Sequence, residues 1–238
     1  MRLPSPRTAS DRGVHDGRPY ELWLPADETD PPWPGILILH GAGSRKENHA
    51  DFARAASGYG WAALAFDQRG HGSSEDEMSP AAIADVTRMA RLLGGVEEVD
   101  RSRLCVRGSS MGGFLAIHSA ATSEAIAGAI AICPAGEADL LRSVRDGELE
   151  MRADEMALEA WLGEHDLRDA VALMGDKPLL LIHARGDESI PYTWSEELYE
   201  HAAEPRKLIV MPGGHHRSVQ HDAELHGVAL RWLERALS

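Results

Sequence analysis

Short runs of apolar residues, typical of strands that are buried on both faces, recur along the chain. They occupy 35–39, 61–66, 104–106, 126–133, 179–182 and 208–210. The alternating run at 20–24 predicts a further strand at an edge of the sheet. Amphipathic segments between these runs predict helices at about 46–58, 79–93, 112–121 and 220–237. Ser79 and Pro80 predict that a side chain caps the second of these helices.

This alternation of apolar strands and amphipathic helices predicts an α/β protein with a mostly parallel, doubly wound sheet. A chain of 238 residues is expected to form a single domain, 1–238. The segment 135–175 interrupts the alternation because it contains apolar residues at helical spacing and no strand candidate. We predict that it is a small helical insertion that covers the carboxyl edge of the sheet as a lid. Ligands of open α/β sheets bind at that edge.

Charge and cysteine content narrow the possible partners. The formal net charge of −14 opposes binding to nucleic acid or to an anionic membrane surface. Cys105 and Cys133 both lie in apolar runs, so they are expected to be buried thiols in a reducing compartment. The first twenty residues lack the apolar stretch of a signal peptide, and no apolar run is long enough to span a bilayer. These observations predict a cytoplasmic protein with no nucleic-acid or membrane partner.

A candidate nucleophile lies between the strand candidate at 104–106 and the helix candidate that follows it. Gly108, Ser110 and Gly112 form a G-x-S-x-G pattern. A serine hydroxyl becomes a useful nucleophile when it is exposed, rigidly held and supplied with a base. A sharp turn between strand and helix exposes it, and small neighbours make room for that turn.

Three further motifs follow apolar runs. His40-Gly41-Ala42-Gly43-Ser44 comes after the run at 35–39. Gly186-Asp187-Glu188-Ser189-Ile190-Pro191 comes after the run at 179–182, and Pro212-Gly213-Gly214-His215-His216 comes after the run at 208–210. Because the carboxyl ends of parallel strands meet at one edge, these motifs are expected to lie near one another.

With these motifs in this order, the chain resembles the serine hydrolases of the α/β-hydrolase superfamily, in the carboxylesterase and prolyl-oligopeptidase-like branch. The resemblance implies a catalytic triad of Ser110, Asp187 and His216, in the chain order typical of that fold. His215 is the alternative base, since the motif contains two adjacent histidines, and Glu188 is the weaker candidate for the acid. The backbone N–H groups of Ala42 and Met111 are expected to form the oxyanion hole.

The resemblance implies acyl transfer through an acyl-enzyme, with no metal and no cofactor. Its substrate is expected to be a small carboxylic ester, with acyl thioesters and small peptides as alternatives on the same triad. A catalytically silent, ligand-binding homologue is the alternative from another functional class. The insertion contains Met151, Met156, Trp161 and Met174, which either line the substrate pocket or pack the lid onto the sheet. The sequence makes no prediction about the oligomeric state.

Overall fold

A computed structural model of the chain describes residues 8–26, 29–147 and 151–238. Its strands are β1 (Asp11–His15), β2 (Arg18–Trp23), β3 (Trp33–Leu39), β4 (Ala62–Phe66), β5 (Val99–Ser109), β6 (Gly128–Ile132), β7 (Leu179–Ala184) and β8 (Arg206–Met211). Its helices are α1 (Ala50–Gly58), α2 (Ala82–Leu93), α3 (Met111–Thr122), α4 (Glu137–Arg145), α5 (Glu155–Glu164), α6 (Leu167–Leu173), α7 (Tyr192–His201) and α8 (Ala223–Ala236). No helix within these ranges is both long enough and apolar enough to cross a bilayer.

The eight strands form one sheet in the order β1-β2-β4-β3-β5-β6-β7-β8. Strands β3 to β8 run parallel to one another, while β2 is antiparallel to both β1 and β4. This arrangement confirms the predicted α/β fold with a mostly parallel sheet. The carboxyl ends of β3, β5, β7 and β8, which precede the four motifs, therefore share one edge of the sheet.

Helices cover the sheet on both faces, which explains why the apolar run of β3 is continuous. Leu37 and Leu39 contribute to the core under α2 to α7, whereas Ile36 and Ile38 contribute to the core under α1 and α8. Successive side chains of a strand point to opposite faces, so a strand between two helical layers is apolar at every position.

The predicted edge position of the strand at 20–24 is wrong. Strand β2 lies between β1 and β4, and β1 forms the edge of the sheet. The sequence pattern did not predict β1 because its residues are mostly exposed and carry no apolar run. Its place is set by the hairpin with β2, in which His15 pairs with Arg18.

The predicted start of α2 is also wrong, because the helix begins at Ala82 and has no side-chain cap. The backbone N–H of Met78 donates to the carbonyl of Arg152 at 2.8 Å, and the N–H of Asp154 donates to the carbonyl of Met78 at 3.0 Å. These bonds hold the preceding segment in an extended form. A turn, in which the N–H of Ala82 donates to the carbonyl of Ser79, then leads into the helix.

Helices α4, α5 and α6 lie between β6 and β7, in the segment predicted as the insertion. Residues 148–150 of that segment lie outside the described residues. Leu140, Leu158 and Leu167 are buried in the same core as α3, so the three helices pack onto the sheet layer. That these helices cover the carboxyl edge of the sheet as a lid stays a prediction.

Candidate active site

Ser110 occupies the sharp turn between β5 and α3. Its backbone has φ 54° and ψ −120°, a conformation that costs a non-glycine residue about 1–3 kcal/mol. The turn is held because the N–H of Ser110 donates to the carbonyl of Ile132 at 2.9 Å, and its carbonyl accepts from the N–H groups of Gly113 and Phe114. The residue is partly exposed, which a role as nucleophile would require.

The glycines on either side of Ser110 allow three backbone segments to meet. A Cβ atom on Gly108 would lie 1.9 Å from the carbonyl oxygen of Gly112. A Cβ atom on Gly112 would lie 2.4 Å from the carbonyl oxygen of Leu39, at the end of β3. Both distances are far shorter than van der Waals contact, so the G-x-S-x-G spacing is a steric requirement of this turn.

Ala42 and Met111, the predicted oxyanion-hole residues, line the same cavity as Ser110. Within the described part of the chain, the N–H of neither residue donates a backbone hydrogen bond. Two unsatisfied N–H donors beside a serine could stabilise negative charge on a substrate oxygen.

His40 shapes the loop that carries Ala42. Its Nε2 accepts a hydrogen bond from the N–H of Gln68 at 3.1 Å, and its Nδ1 lies 2.9 Å from the carbonyl of Gly41. Burial, together with the neighbouring His71, lowers the pKa of His40 to about 4. A neutral imidazole fixed at both nitrogens is a structural element of the loop.

Asp187 and His216 come together from the loops after β7 and β8. Nδ1 of His216 lies 2.7 Å from Oδ2 of Asp187. The side chain of Asp187 is fully buried, whereas that of His216 is 14% exposed. Asp187 therefore orients the His216 ring and leaves its Nε2 atom available to exchange protons at the cavity.

Sequence reasoning gave no role to His183, which also contacts Asp187. Its Nε2 lies 3.2 Å from Oδ2 of Asp187 and 3.0 Å from the carbonyl of Ile190, while its Nδ1 lies 2.7 Å from Oγ of Ser195. Its position four residues before Asp187, at the end of a buried strand, is a signal that could have identified it. Within the described residues, the side chains of His183, His216 and Cys133 all contact the Asp187 carboxylate.

Burial by itself would raise the pKa of Asp187. Hydrogen bonds from His183, from His216 and from the N–H of Ile190 instead hold that pKa well below its usual range. The carboxylate therefore stays ionised next to His216, and can stabilise positive charge on the imidazole.

His215, the alternative base, also lines the cavity, but its contacts differ. Its backbone N–H donates to Oγ of Ser218 at 2.9 Å, and its carbonyl accepts from that hydroxyl. Glu188, the weaker candidate for the acid, is exposed and accepts a bond from the backbone N–H of His216. The geometry thus pairs Asp187 with His216.

A cavity of about 790 Å³ brings the predicted residues together. Ser110 and His216 lie on its wall with Ala42 and Met111. A smaller apolar cavity of about 30 Å³, which we call the annex, adjoins it at Met111 and Leu140. The two cavities together offer a polar site with a short apolar extension.

The insertion residues predicted for the pocket divide into two groups. Met151 and Trp161 line the annex, Trp161 from α5 of the insertion. Met156 is 82% exposed and lines neither cavity, so its expected place in the pocket is wrong. Met174 is 3% exposed and packs in the core, which agrees with the alternative that it packs the insertion onto the sheet. Helical spacing could not distinguish these positions because it does not specify which face meets the cavity.

One group of side chains in the described ranges is close enough to be considered for a metal ion. The ligand atoms of Cys133, Asp187 and His216 all lie within 4.8 Å of one another. Burial raises the pKa of the Cys133 thiol, and metal binding requires the thiolate. Asp187 and His216 already bond to each other at 2.7 Å. The donor set therefore fits a metal poorly.

A family model described as "Hydrolase_4: Serine aminopeptidase, S33" matches residues 30–157, just over half of the chain. The matched range includes Ser110 and both expected oxyanion-hole residues. It ends before Asp187 and His216, whose pairing is a matter of geometry.

Three proteins are similar to most of this chain in sequence or in structure. Uncharacterized protein Rv2307c of Mycobacterium tuberculosis is 29% identical over 187 residues, which cover 77% of this chain and 63% of that protein. The chain thus matches less than two thirds of this relative's length. The α/β hydrolase GrgF from Penicillium sp. sh18 superposes with a TM-score of 0.78 at 18% identity, over 95% of this chain and 98% of that one. A soluble variant of monoglyceride lipase from Saccharomyces cerevisiae gives 0.75 at 16% identity, over 99% of this chain and 100% of that one. These two likenesses are of fold.

Proposed function

Because the chain belongs to the α/β-hydrolase family described as Hydrolase_4, serine aminopeptidase S33, we propose that it is a serine hydrolase of small carboxylic esters. The observation that carries the proposal is the 2.7 Å bond from buried Asp187 to His216, which lines the same cavity as Ser110. An imidazole oriented by a buried carboxylate, in the same cavity as a serine at a strained turn, is the arrangement that acyl transfer needs.

The proposed reaction has two steps. His216 Nε2 takes the proton of Ser110 as its Oγ attacks the ester carbonyl, and the N–H groups of Ala42 and Met111 bind the resulting oxyanion. His216 then protonates the departing alkoxide, which leaves an acyl group on Ser110. Water, deprotonated by His216, releases the carboxylic acid and restores the serine. Asp187 stays ionised and stabilises the imidazolium in both steps.

The cavity favours an ester over the peptide that the family's description would suggest. An aminopeptidase holds the protonated amino terminus of its substrate, for which a carboxylate is the natural partner. Among the described residues that line the cavity, Asp139 is the one carboxylate, and its Oδ1 already accepts from Nη2 of Arg142 at 2.6 Å. Acyl thioesters would fit the same triad and belong in the test.

Labelling with a fluorophosphonate tests the proposal. Wild-type protein is expected to form one adduct, visible by mass spectrometry as a single mass increase on the peptide that contains Ser110. Ser110→Ala should abolish the adduct, while the matched variant Ser109→Ala, at the buried neighbour, should keep it. Failure of the wild type to react would contradict the proposal and favour a silent ligand-binding homologue.

A substrate panel then separates the hydrolase classes. Aryl acetates, acyl thioesters and aminoacyl amides are compared by kcat/KM, and the aryl acetates are expected to give the highest value. A higher value for the thioesters or the amides would overturn the ester assignment without affecting the triad.

We also propose that the enzyme acts in the cytoplasm on a small molecule, without a metal, a nucleic-acid partner or a membrane partner. Both cysteines are buried as free thiols, which supports a reducing compartment. Fractionation of cells that express the protein, with a cytoplasmic marker, tests the location.

A further inference from the structure

The loop that carries His216 forms one wall of the cavity. Arg217, Gln220 and His221 from this loop and the turn that follows it all line the cavity together with His216. We call these residues the base wall. Polar and basic side chains on this wall contrast with the annex, which is lined mainly by apolar side chains.

The base wall carries positive charge that other residues leave unneutralised. Two carboxylates are already paired with other groups. Oδ2 of Asp51 bonds to Nδ1 of His221 at 2.8 Å, and the carboxylate of Asp139 bonds to Arg142. Arg217 is exposed and has no carboxylate within ion-pair distance in the part of the chain that the structure describes. Although the chain carries a net charge of −14, this guanidinium lies on the cavity wall and is available to pair with an anionic group of a bound molecule.

The proposed mechanism fixes which end of the ester meets this wall. His216 must deliver its proton to the oxygen of the leaving group, so the leaving group lies beside His216. The base wall is therefore the leaving-group side of the cavity. The acyl group lies away from it, towards Met111 and Leu140, where the annex opens. A volume of about 30 Å³ leaves room there for about one small apolar group.

We infer that the preferred substrates are esters with a short apolar acyl group and a leaving group that carries a carboxylate, which Arg217 binds. This inference rests on the proposed function and specifies the substrate class of the same site. A guanidinium suits this role because its planar array of donors matches a carboxylate in a bidentate pair.

Three phenyl esters test the inference: 3-acetoxybenzoate, its neutral methyl ester, and phenyl hemisuccinate. The first carries the carboxylate on the leaving group, and the third carries it on the acyl group. Each kcat/KM is divided by the rate of hydroxide-catalysed hydrolysis of the same ester, which removes differences in intrinsic reactivity. We expect 3-acetoxybenzoate to exceed each of the others by about tenfold, the effect of one partly exposed charge-assisted hydrogen bond.

The variant Arg217→Gln should bring the ratio between 3-acetoxybenzoate and its methyl ester close to one. Arg54→Gln, which removes an exposed arginine on α1 outside the cavity, should leave the ratio unchanged. Salt at about 1 M, where the Debye length is about 3 Å, should reduce the wild-type ratio.

The outcomes distinguish this inference from the proposed function. Equal normalised rates for the charged and neutral acetates, or a preference that survives Arg217→Gln, would overturn the inference while the hydrolase assignment stands. A higher rate for phenyl hemisuccinate would reverse the assigned direction of the substrate and overturn the inference as well. No hydrolysis of any of the three, together with no fluorophosphonate adduct, would refute the proposed function itself.

Discussion

The hydrogen bonds that Asp187 accepts from its neighbours define its charge. Its Oδ1 accepts from the backbone N–H groups of Ser189 and Ile190, both at 2.9 Å. Its Oδ2 accepts from His216 at 2.7 Å and from His183 at 3.2 Å. An ionised carboxylate is purely an acceptor, so Nδ1 of His216 must carry a proton, which leaves Nε2 as the atom that acts as the base in the proposed reaction. Nε2 of His183 must likewise carry a proton, and its Nδ1 then accepts from Ser195.

These bonds predict a pH dependence of stability. The pKa of Asp187 in the folded protein lies below its value of about 3.9 in the unfolded chain. A lowered folded pKa contributes stability that is present above the unfolded pKa and is lost as the pH falls through the folded one. Asp187→Asn cannot titrate, so its free energy of unfolding should fall less steeply than that of the wild type between about pH 5 and pH 3.

Urea unfolding at a series of pH values across that window measures the two slopes. Glu234→Gln, which removes an exposed carboxylate on α8, is the matched control and should keep the wild-type slope. Parallel slopes for the wild type and Asp187→Asn would show that the folded protein does not hold this carboxyl in its ionised form.

At the scale of elements, the junction between β5 and α3 depends on glycine as much as on serine. A Cβ atom on Gly108 would meet backbone atoms of Gly112 and Gly113, which cannot move aside as a flexible side chain can. Gly108→Ala should therefore lower the free energy of unfolding by about 3 kcal/mol or more. It should also reduce fluorophosphonate labelling, because the turn that exposes Ser110 would shift.

Gly163→Ala provides the control for that substitution. Gly163 lies in α5 with open space where a Cβ would be, so alanine there should raise the free energy of unfolding by up to about 1 kcal/mol. Chemical denaturation of both variants gives the comparison. Similar stability for the two would mean that β5 and α3 approach each other less closely than the structure shows.

The elements that could be predicted from the sequence are those whose residues carry the pattern themselves. Strands β3 and β7 have continuous apolar runs because both of their faces meet helices. Strand β1 carries no such run, since its position is set by pairing with β2 across a hairpin. The start of α2 escapes the local pattern for a related reason, because Met78 is held by backbone bonds to a segment more than seventy residues away.

The same distinction applies to the site. The motifs around Ser110, Asp187 and His216 are local, so their positions at strand ends could be predicted. The contact from His183 to Asp187 and the exposure of Met156 depend on how loops and helices pack, which local spacing does not encode.

At the scale of the whole molecule, the two cavities lie where the sheet, its helical layer and the insertion meet. Leu140 and Val144 of α4 and Leu158 of α5 line the annex from the insertion side. Phe114 and Leu115 of α3 line it from the sheet side. The size of the acyl group that the enzyme accepts should therefore depend on side chains that touch neither Ser110 nor His216.

Val144→Ala tests this dependence. Val144 is 6% exposed, and its replacement by alanine removes two methyl groups from the wall of the annex. We expect the preferred acyl chain of aryl esters to lengthen by about one or two carbons, because each additional buried methylene contributes roughly 0.8 kcal/mol. The free energy of unfolding should fall by about 2 kcal/mol as apolar contacts are lost. Val14→Ala, at a residue that is 69% exposed on β1, should change neither quantity. If the variant lost stability and kept the wild-type chain-length profile, the acyl group would bind outside the annex, and the apolar end of the substrate would have to lie elsewhere in the cavity.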